Sequence, residues 1–505
     1  MKIVVVGGGT AGWLAALMIK KVQGDSHSVT VIESSDIGII GAGEGSTGQL
    51  VDIIRGISWD YGCNEADFFV ETGATVKLGI IHKDWKELGH EYIAPLDGTA
   101  VPSVGTDYIM MHAVLNDLPV HTASTNGFMI EKNLSSYFWD NDKISSTASH
   151  AYHFDGHKVG KYFKKVCGQD VSVIDAKVLD LNLNLNGEIE SLILDNGTTV
   201  EADFFVDASG FSRLFSKKLG VNWKSYKNNL PVDTAIPFLI PKEEVIRPVT
   251  TAWAQKNGWM WMIPVDGRRG CGYVFDSNFI SATEAVDEIE QTLGMEISPI
   301  KTIKFEAGRL EKLWHKNCLF VGLAGAFSEP LEATSIHSTI IQLNNFVFHY
   351  LKDTKEDTVN SGSESRYNKK MRLMYDEFKD FLSVHYASKR TDSEFWKRVS
   401  SGELLSDGAK EVLEMQKSKL LSTSDFYQYF GYAGPALYNW VLHGLGYIDK
   451  NTAKRELDFY AQHDLGRTVW SLNTDSMNDM ADKMIDNTVF INNVKEYADG
   501  NLFSK

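Results

Sequence analysis

The sequence predicts an α/β fold with a mixed sheet, followed by a mostly α-helical C-terminal region. Its 505 residues begin with an apolar strand, Ile3–Val6, which is followed by glycines and then by a helical spacing of apolar residues. A second strand, Val29–Ile32, completes a βαβ unit, whose two strands run parallel. Two β-rich stretches, 170–207 and 232–276, supply further strands, one of them predicted over Thr199–Val206.

The C-terminal part is predicted to be helical because, from about residue 282, apolar residues recur at helical spacing. The helix candidates are residues 335–352, 364–390 and 406–418. The polar tail, 450–505, is also predicted to be helical. We therefore expect a core of residues 1–350, which carries the βαβ unit and inserted β-rich segments. A helical region of residues 351–505 is expected to pack on that core.

Composition and charge restrict the classes of partner. Hydrophobic residues make up 43% and charged residues 23% of the chain, as in ordinary globular proteins. The formal net charge is -16, which opposes binding to nucleic acid and to anionic membrane surfaces. The oligomeric state is open, with a homo-oligomer among the alternatives.

Cysteine usage and the N-terminus predict a cytoplasmic protein. Four cysteines lie far apart in the sequence, at Cys63, Cys167, Cys271 and Cys318. They have neither CxxC nor Cys/His spacing, so we expect free thiols in a reducing compartment and no metal site. The chain opens directly on a strand, without the charged and apolar regions of a signal peptide, and its apolar runs are too short to span a bilayer.

The glycine-rich loop predicts a dinucleotide site. Gly7, Gly9 and Gly12 satisfy GxGxxG directly after a strand and at the start of a helix. The first glycine allows a tight turn, the second allows close approach of a pyrophosphate, and the third allows close packing of helix and strand. Glu33 follows Gly12 by 21 residues, where a carboxylate can accept hydrogen bonds from a ribose diol. The alternative is a glycine-rich turn that binds no ligand, and the loop alone does not distinguish FAD from NAD.

A second motif narrows the prediction. Trp259 and Trp261 are two positions apart, a spacing that directs both indoles to one face of a strand, and Ile263 and Pro264 follow. Taken alone, they are equally explained as core aromatics of a strand. Together with the glycine loop and the stretch Val206–Ser212, the segment resembles the flavin-dependent halogenases of the tryptophan-halogenase type. In that family the segment lies near the flavin and forms an apolar wall.

The resemblance implies an FAD-binding fold like that of p-hydroxybenzoate hydroxylase, with FAD used as FADH2. The residues that it places at the cofactor are Gly7, Gly9, Thr10, Ala11, Gly12, Trp13, Glu33, Gly45, Val178, Leu323 and Ile336. Leu323 stands where related FAD monooxygenases carry an Asp. No second GxGxxG follows in the sequence, so we expect a separate flavin reductase to supply FADH2.

The segment Gly73–Ile80 resembles the family's segment around its catalytic lysine, and the match places Lys77 in that role. A buried ammonium can polarise a hypohalous acid or form a haloamine with it. Without the resemblance, Lys77 would be one surface lysine among many. We expect the neighbouring His82, Lys83 and Lys86 to be solvated and to have no role.

The segment Ser328–His337 resembles the family's Glu-Pro-Leu-Glu-x-Thr segment. The resemblance makes Glu332 the carboxylate that assists the lysine and takes up the arene proton. It assigns the backbone N–H groups of Thr334 and Ser335 to halide binding, although some members carry Gly in place of Ser335. The alternative is an ordinary helix N-terminus with a proline and capping residues.

The reaction implied by the resemblance starts from reduced FAD, O2 and a halide, which is chloride, bromide or iodide. Hypohalous acid forms and moves through an internal passage to Lys77, where it halogenates an indole, a phenol or a tryptophan-like ring. The resemblance extends to about Ser400. The region after it, which would cover the substrate pocket, contains no segment that predicts the substrate. Two alternatives are an FAD-dependent aromatic monooxygenase that hydroxylates its substrate and a flavin-binding protein without catalysis.

Overall fold

The computed structural model contains two compact units, each assembled from three separated chain segments. It describes residues 1–38, 43–99, 106–147, 149–354, 361–426 and 433–504. The first unit comprises Met1–Gly73, Phe154–Lys227 and Phe305–Asp376. The second comprises Ala74–His153, Asn228–Lys304 and Glu377–Lys505. The predicted domains divide the chain at a single point, residue 350, and this division stays a prediction.

The first unit is built on a six-stranded sheet that is parallel except at one edge. In spatial order, its strands are Ser172–Asp175, Ser28–Glu33, Lys2–Val6, Phe204–Asp207, Cys318–Phe320 and Trp314–His315. The last pair is antiparallel, so the predicted mixed sheet is confirmed. The central strand Lys2–Val6 is buried from Ile3 onward, which explains its apolar run.

Two helices pack together in this unit and complete its βαβ layer. Thr10–Gln23 follows the glycine loop, and Gly156–Cys167 begins at Asp155, whose side chain accepts the N–H of His157. Two small sheets accompany them. Their strands are Val178–Leu183, Ile189–Leu194 and Thr199–Glu201 in one, and Trp223–Ser225, Gly308–Leu310 and Ala326–Phe327 in the other.

The single strand predicted over Thr199–Val206 is wrong. The structure has two strands, Thr199–Glu201 in a hairpin sheet and Phe204–Asp207 in the six-stranded sheet. They separate at Asp203, whose carboxylate accepts the backbone N–H of Lys2 at 2.6 Å. The apolar Phe204–Val206 segment is fully buried in the six-stranded sheet, whereas Thr199–Glu201 is partly exposed in the hairpin sheet.

The second unit is built on a seven-stranded sheet. In spatial order, its strands are Ile303–Lys304, Thr234–Pro241, Arg268–Phe275, Gly258–Val265, Val249–Ala254, Gly79–Lys83 and Glu91–Pro95. Its pairs are antiparallel apart from Val249–Ala254 with Gly79–Lys83. One face packs on the helix Ala282–Leu293, which a Ser281/Glu284 capping box begins and Gly294 ends in the left-handed conformation.

Smaller strands and several helices complete the second unit. Thr75–Lys77 pairs with Ala151–Phe154, and Met484–Asp486 pairs with Leu134–Asp140, which pairs with Lys143–Ser146. The helices are Tyr108–Leu115, Thr125–Glu131, Glu394–Ser400, Asp407–Gln416, Pro435–Gly444, Lys450–Tyr460, His463–Ala481 and Asn487–Asp499. The predicted helical tail is therefore confirmed, apart from the strand Met484–Asp486.

The helices Thr334–Asn345 and Ser361–His385 lie at predicted positions but differ at their ends. The helices Gly48–Arg55 and Glu65–Thr72 were not predicted. The predicted helix 335–352 ends its α-helical part at Asn345 and continues through a π-helical turn, Phe346–Tyr350, and a 3-10 turn. All four cysteines are free, as expected, and Cys63 is only half-buried.

Candidate active site

The glycine loop of the first unit has the shape that its spacing predicts. Gly7 has φ +123°, and a Cβ there would lie 2.2 Å from the carbonyl oxygen of Ala208. A Cβ on Gly12 would lie 1.9 Å from the Gly7 carbonyl oxygen. A Cβ on Gly9 would meet no atom of the described residues within 4 Å, so these residues leave open space beside it. This arrangement leaves room for a ligand at the second glycine of the motif.

Glu33 is held beside the glycine loop by two side chains. Its carboxylate accepts the indole N–H of Trp13 at 2.9 Å and the Lys164 ammonium at 2.5 Å. A Cβ on Gly8 would lie 2.1 Å from Glu33 Oε2, so residue 8 must also be glycine. The sequence motif pointed to Gly7, Gly9 and Gly12 but missed Gly8 and Lys164, because both depend on where Glu33 lies.

Asp207 orders the turn that follows the neighbouring parallel strand. Its buried carboxylate accepts the backbone N–H groups of Ser209, at 3.0 Å, and of Phe215, at 3.1 Å. Burial raises its pKa above the usual range. Because Asp207 pairs with Val6 in the sheet, this turn lies next to the glycine loop.

The segment around Leu323 packs on the start of the first helix. Leu323 lies in the 3-10 turn Gly322–Ala324, and a Cβ on Gly322 would approach the Ala11 side chain to 2.7 Å. The structure therefore brings Leu323 to the glycine-loop helix. Val178 begins a strand of the hairpin sheet, and Gly45 lies in the short strand Glu44–Gly45.

The proposed halide segment forms a helix start without a side-chain cap. The helix Thr334–Asn345 follows Ala333, which has φ +54° and provides no hydrogen bond to the first turn. The early N–H groups of a helix have no partner within the helix, and they favour anions. Ile336 is buried in this turn, and His337 Nδ1 lies 2.9 Å from Thr47 Oγ1.

Glu332 immediately precedes that helix. It lies in the 3-10 turn Pro330–Glu332 and is buried, with an exposed fraction of 4%. Ala333, next in the chain, has a left-handed backbone, which costs an L-residue about 1–2 kcal/mol. Backbone strain of this kind is found most often at functional sites.

Lys77 is one of the most deeply buried charged residues of the second unit. It ends the strand Thr75–Lys77, and its exposed fraction is 1%. Its backbone pairs with Ala151, and the next residue, Leu78, donates its N–H to the Pro248 carbonyl at 2.7 Å. A lysine is almost never buried to this degree unless its charge is paired.

The double-Trp strand is joined to the lysine strand inside the second unit. The hydroxyl of Thr75 donates a hydrogen bond to the carbonyl oxygen of Pro264 at 2.7 Å. Trp259 is buried and contacts Trp261 edge to face, with ring centroids 6.4 Å apart. The Trp261 ring lies over Gly272, where a Cβ would come within 2.1 Å of it. Two of the segments that carried the sequence resemblance therefore meet in the fold.

Two histidines share the Lys77 environment, and one of them corrects a prediction. His82 was expected to be solvated, but it is fully buried and stacks on Tyr92 at 4.6 Å. Burial, His385 and the charge of Lys77 lower the pKa of His82 well below its usual value. Burial and Lys77 do the same for the pKa of His153. Both imidazoles are therefore neutral at pH 7.

The family model described as tryptophan halogenase matches residues 2–458 of the chain. The chain belongs to the tryptophan halogenase family. The 7-chloro-L-tryptophan 6-halogenase of Kutzneria sp. (strain 744) is 30% identical over 479 residues, which cover 88% of this chain and 90% of the relative.

Solved structures agree with this assignment. A tryptophan 6-halogenase from Streptomyces toxytricini has a TM-score of 0.87 at 26% identity and covers 97% of this chain and 99% of its own. A tryptophan C-6 flavin-dependent halogenase from taromycin biosynthesis has a TM-score of 0.87 at 27% identity, covering 98% of this chain and 99% of its own. The predicted FAD-binding fold like that of p-hydroxybenzoate hydroxylase is thus confirmed.

This halogenase is therefore an enzyme of the flavin-dependent class. The comparisons favour halogenation over the alternative of an FAD-dependent hydroxylase. Within the part of the chain that the structure describes, no helix is both long and apolar enough to cross a membrane.

Proposed function

We propose that this halogenase uses FADH2, O2 and a halide to halogenate an electron-rich aromatic ring, with Lys77 and Glu332 as its catalytic residues. The observation that carries the proposal is the burial of Lys77, with an exposed fraction of 1%, on the strand bonded to the double-Trp strand. The ring is an indole, a phenol or a tryptophan-like compound, in keeping with the substrates in the names of the relatives.

The residues of the first unit fit a bound FAD. Open space beside Gly9 and the N-terminus of Thr10–Gln23 suit a pyrophosphate, and Glu33 suits a ribose diol. The other predicted contacts are Gly7, Ala11, Gly12, Trp13, Gly45, Val178, Leu323 and Ile336. When bound and reduced, the flavin supplies the oxygen chemistry that converts a halide to hypohalous acid.

Four roles fall to side chains and backbone groups of the chain itself. The N–H groups of Thr334 and Ser335 hold the halide, which a helix start stabilises electrostatically. Lys77 donates a hydrogen bond to the halogenating species and directs its halogen to the ring. Glu332 accepts the proton that the ring loses. The apolar double-Trp strand excludes water from this chemistry.

We further propose that FADH2 comes from a separate flavin reductase, since the sequence contains no second dinucleotide motif. The net charge of -16 favours a soluble enzyme without nucleic-acid or membrane partners, and the free cysteines favour a cytoplasmic location.

A turnover experiment tests the proposal against hydroxylation. Chemically reduced FAD is supplied to the enzyme with a panel of indoles and phenols, with bromide and without it, and products are identified by mass spectrometry. We expect brominated products only with bromide. Hydroxylated product formed without halide would overturn the proposal.

Glu332→Gln is expected to lower the rate strongly, and an unchanged rate would make Glu332 a structural residue.

A further inference from the structure

Two polar residues lie beside the segment that carries Lys77. In the seven-stranded sheet Gly79 pairs with Pro95, and the N–H of Leu96 donates to the Leu78 carbonyl at 2.9 Å. Continued by one residue, this register brings Asp97 opposite Lys77. Asp97 is thus a neighbour of the chain segment on which we place the halogenation chemistry.

Asp97 is tied to two other elements of the second unit. Its Oδ2 accepts the backbone N–H of Asn126 at 3.2 Å, and its backbone carbonyl accepts the indole N–H of Trp440 at 3.0 Å. Burial raises the pKa of Asp97 to about 6, so the carboxylate is mainly ionised at pH 7.5. Among the residues that the structure describes, Asp97 Oδ1 is buried and has no hydrogen-bond partner.

Asn126 carries two more buried atoms of this kind. Its exposed fraction is 0%, and neither Oδ1 nor Nδ2 of its amide has a hydrogen-bond partner within the described part of the chain. Its backbone N–H donates to the Asp97 carboxylate, so the two residues are neighbours in the fold. Buried amide and carboxylate groups are almost always paired in native proteins, so this region is incomplete as it stands.

We propose that Asp97 and Asn126 bind a carboxamide substituent of the aromatic substrate. The proposal rests on the proposed function and names the substrate class that it takes. The amide of Asn126 offers one donor group and one acceptor, and Asp97 Oδ1 offers a second acceptor. A primary carboxamide has the matching set: its oxygen accepts from Nδ2, and its two N–H bonds donate to Asn126 Oδ1 and Asp97 Oδ1.

Other common substituents match less well. A carboxylate would meet the ionised Asp97, and like charges in a buried region repel. An ammonium group would satisfy the two acceptors but leave the Asn126 N–H donors unpaired. An unsubstituted ring would leave all three atoms unpaired. The count of donors and acceptors therefore selects the carboxamide.

A cleft of the second unit lies beside Trp440. Trp440, which bonds Asp97, lines a cleft of about 860 Å³ in the second unit, and Ile93 and Val120 line it as well. Volumes of this size accommodate small aromatic ligands.

Direct binding to the whole enzyme tests the inference. The probes are indole-3-acetamide, indole-3-acetate and 3-methylindole, and the measurement is isothermal titration calorimetry at pH 7.5 without flavin. We expect the wild-type enzyme to bind the acetamide at least about tenfold more tightly than the other two. Equal affinities for the three probes would overturn the inference, because they would be expected if only ordered water paired these buried atoms. This comparison uses the wild-type enzyme alone.

Variants locate the effect. Asn126→Leu, close in volume, is expected to remove the preference for the acetamide and to leave binding of 3-methylindole unchanged. The matched control is Asn487→Leu, because Asn487 is equally buried but its amide donates to the Ile246 carbonyl at 2.7 Å. A preference that survives in Asn126→Leu, or that disappears equally in Asn487→Leu, would contradict the assignment.

The same samples separate this inference from the proposed function. Bromination of 3-methylindole with FADH2 and bromide tests the halogenase proposal without the carboxamide. Bromination with equal affinities for all probes would reject only the inference. A tenfold preference without bromination of any probe would reject only the proposed chemistry.

Discussion

Thr75 donates a hydrogen bond of 2.7 Å to the carbonyl oxygen of Pro264, which lies 189 residues further along the chain. This bond joins the strand that carries Lys77 to the strand that carries the two indoles. It holds together two strands that the sequence analysis singled out independently. The Thr75 hydroxyl also lies 3.4 Å from Nδ1 of His153. Thr75 therefore contacts the strand that carries Pro264 and the strand that carries His153.

Loss of the Thr75 hydroxyl should loosen the position of Lys77. In Thr75→Val the side-chain volume stays similar, but the Pro264 carbonyl loses its donor. We expect the free energy of unfolding to fall by about 1 kcal/mol and the rate of halogenation to fall more than the rate of flavin oxidation. Thr75→Ser keeps the donor and should remain close to the wild type. A valine variant with wild-type halogenation would show that this bond does not position the lysine.

Removal of the Lys77 amine should uncouple halogenation from flavin oxidation. We expect Lys77→Ala to lower product formation by about 10²–10⁴-fold, while FADH2 is oxidised at the wild-type rate. Lys83→Ala is the matched control, because Lys83 lies nearby with its ammonium over the Trp253 ring at 3.5 Å. Product yield is measured by mass spectrometry and flavin oxidation by absorbance. Normal product yield from Lys77→Ala would refute its catalytic role.

The open space at Gly9 makes it possible to separate folding from cofactor binding. Gly9 has φ -79° and a Cβ there meets no atom within 4 Å, so Gly9→Ala should change stability by less than about 0.5 kcal/mol. A methyl group in the space assigned to the pyrophosphate should weaken FAD binding at least about tenfold. Gly8→Ala, whose Cβ would overlap Glu33, should instead lower the melting temperature. Unchanged FAD affinity in Gly9→Ala, measured by fluorescence titration, would place the pyrophosphate elsewhere.

His337 should make the first unit sensitive to acid. Burial lowers the pKa of this imidazole to about 3 from the usual 6.5. A folded-state pKa below the unfolded one means stability that is present above pH 6.5 and is lost as the pH falls towards 3. Between pH 7 and pH 5 the loss is about 2 kcal/mol. Denaturant unfolding of His337→Gln should show a pH dependence smaller by that amount. Equal pH dependences for the variant and the wild type would rule out a buried neutral imidazole at this position.

The glycine loop and the acidic residue after it were predictable because they depend on nearby backbone. The tight turn requires glycine at Gly7, where φ is +123° and a Cβ would overlap the Ala208 carbonyl, and a helix start after an apolar strand follows from the spacing alone. The same holds for the helices at 361–385 and 407–416, whose apolar spacing is local. His82 was misjudged for the opposite reason: its burial comes from Tyr92 on the next strand and from His385, more than 300 residues away.

The sequence by itself determined the class of fold, the dinucleotide loop and the family resemblance, because these reside in short runs of residues whose backbone sterics and spacing are local. Only the tertiary structure decided that Gly8 must make room for Glu33, that Lys164 pairs with that carboxylate, and that Thr75 bonds Pro264. It also decided that Asp97 and Asn126 come together beside the lysine segment. Such contacts join residues far apart in the chain, and they follow from how sheets and helices pack rather than from any local pattern.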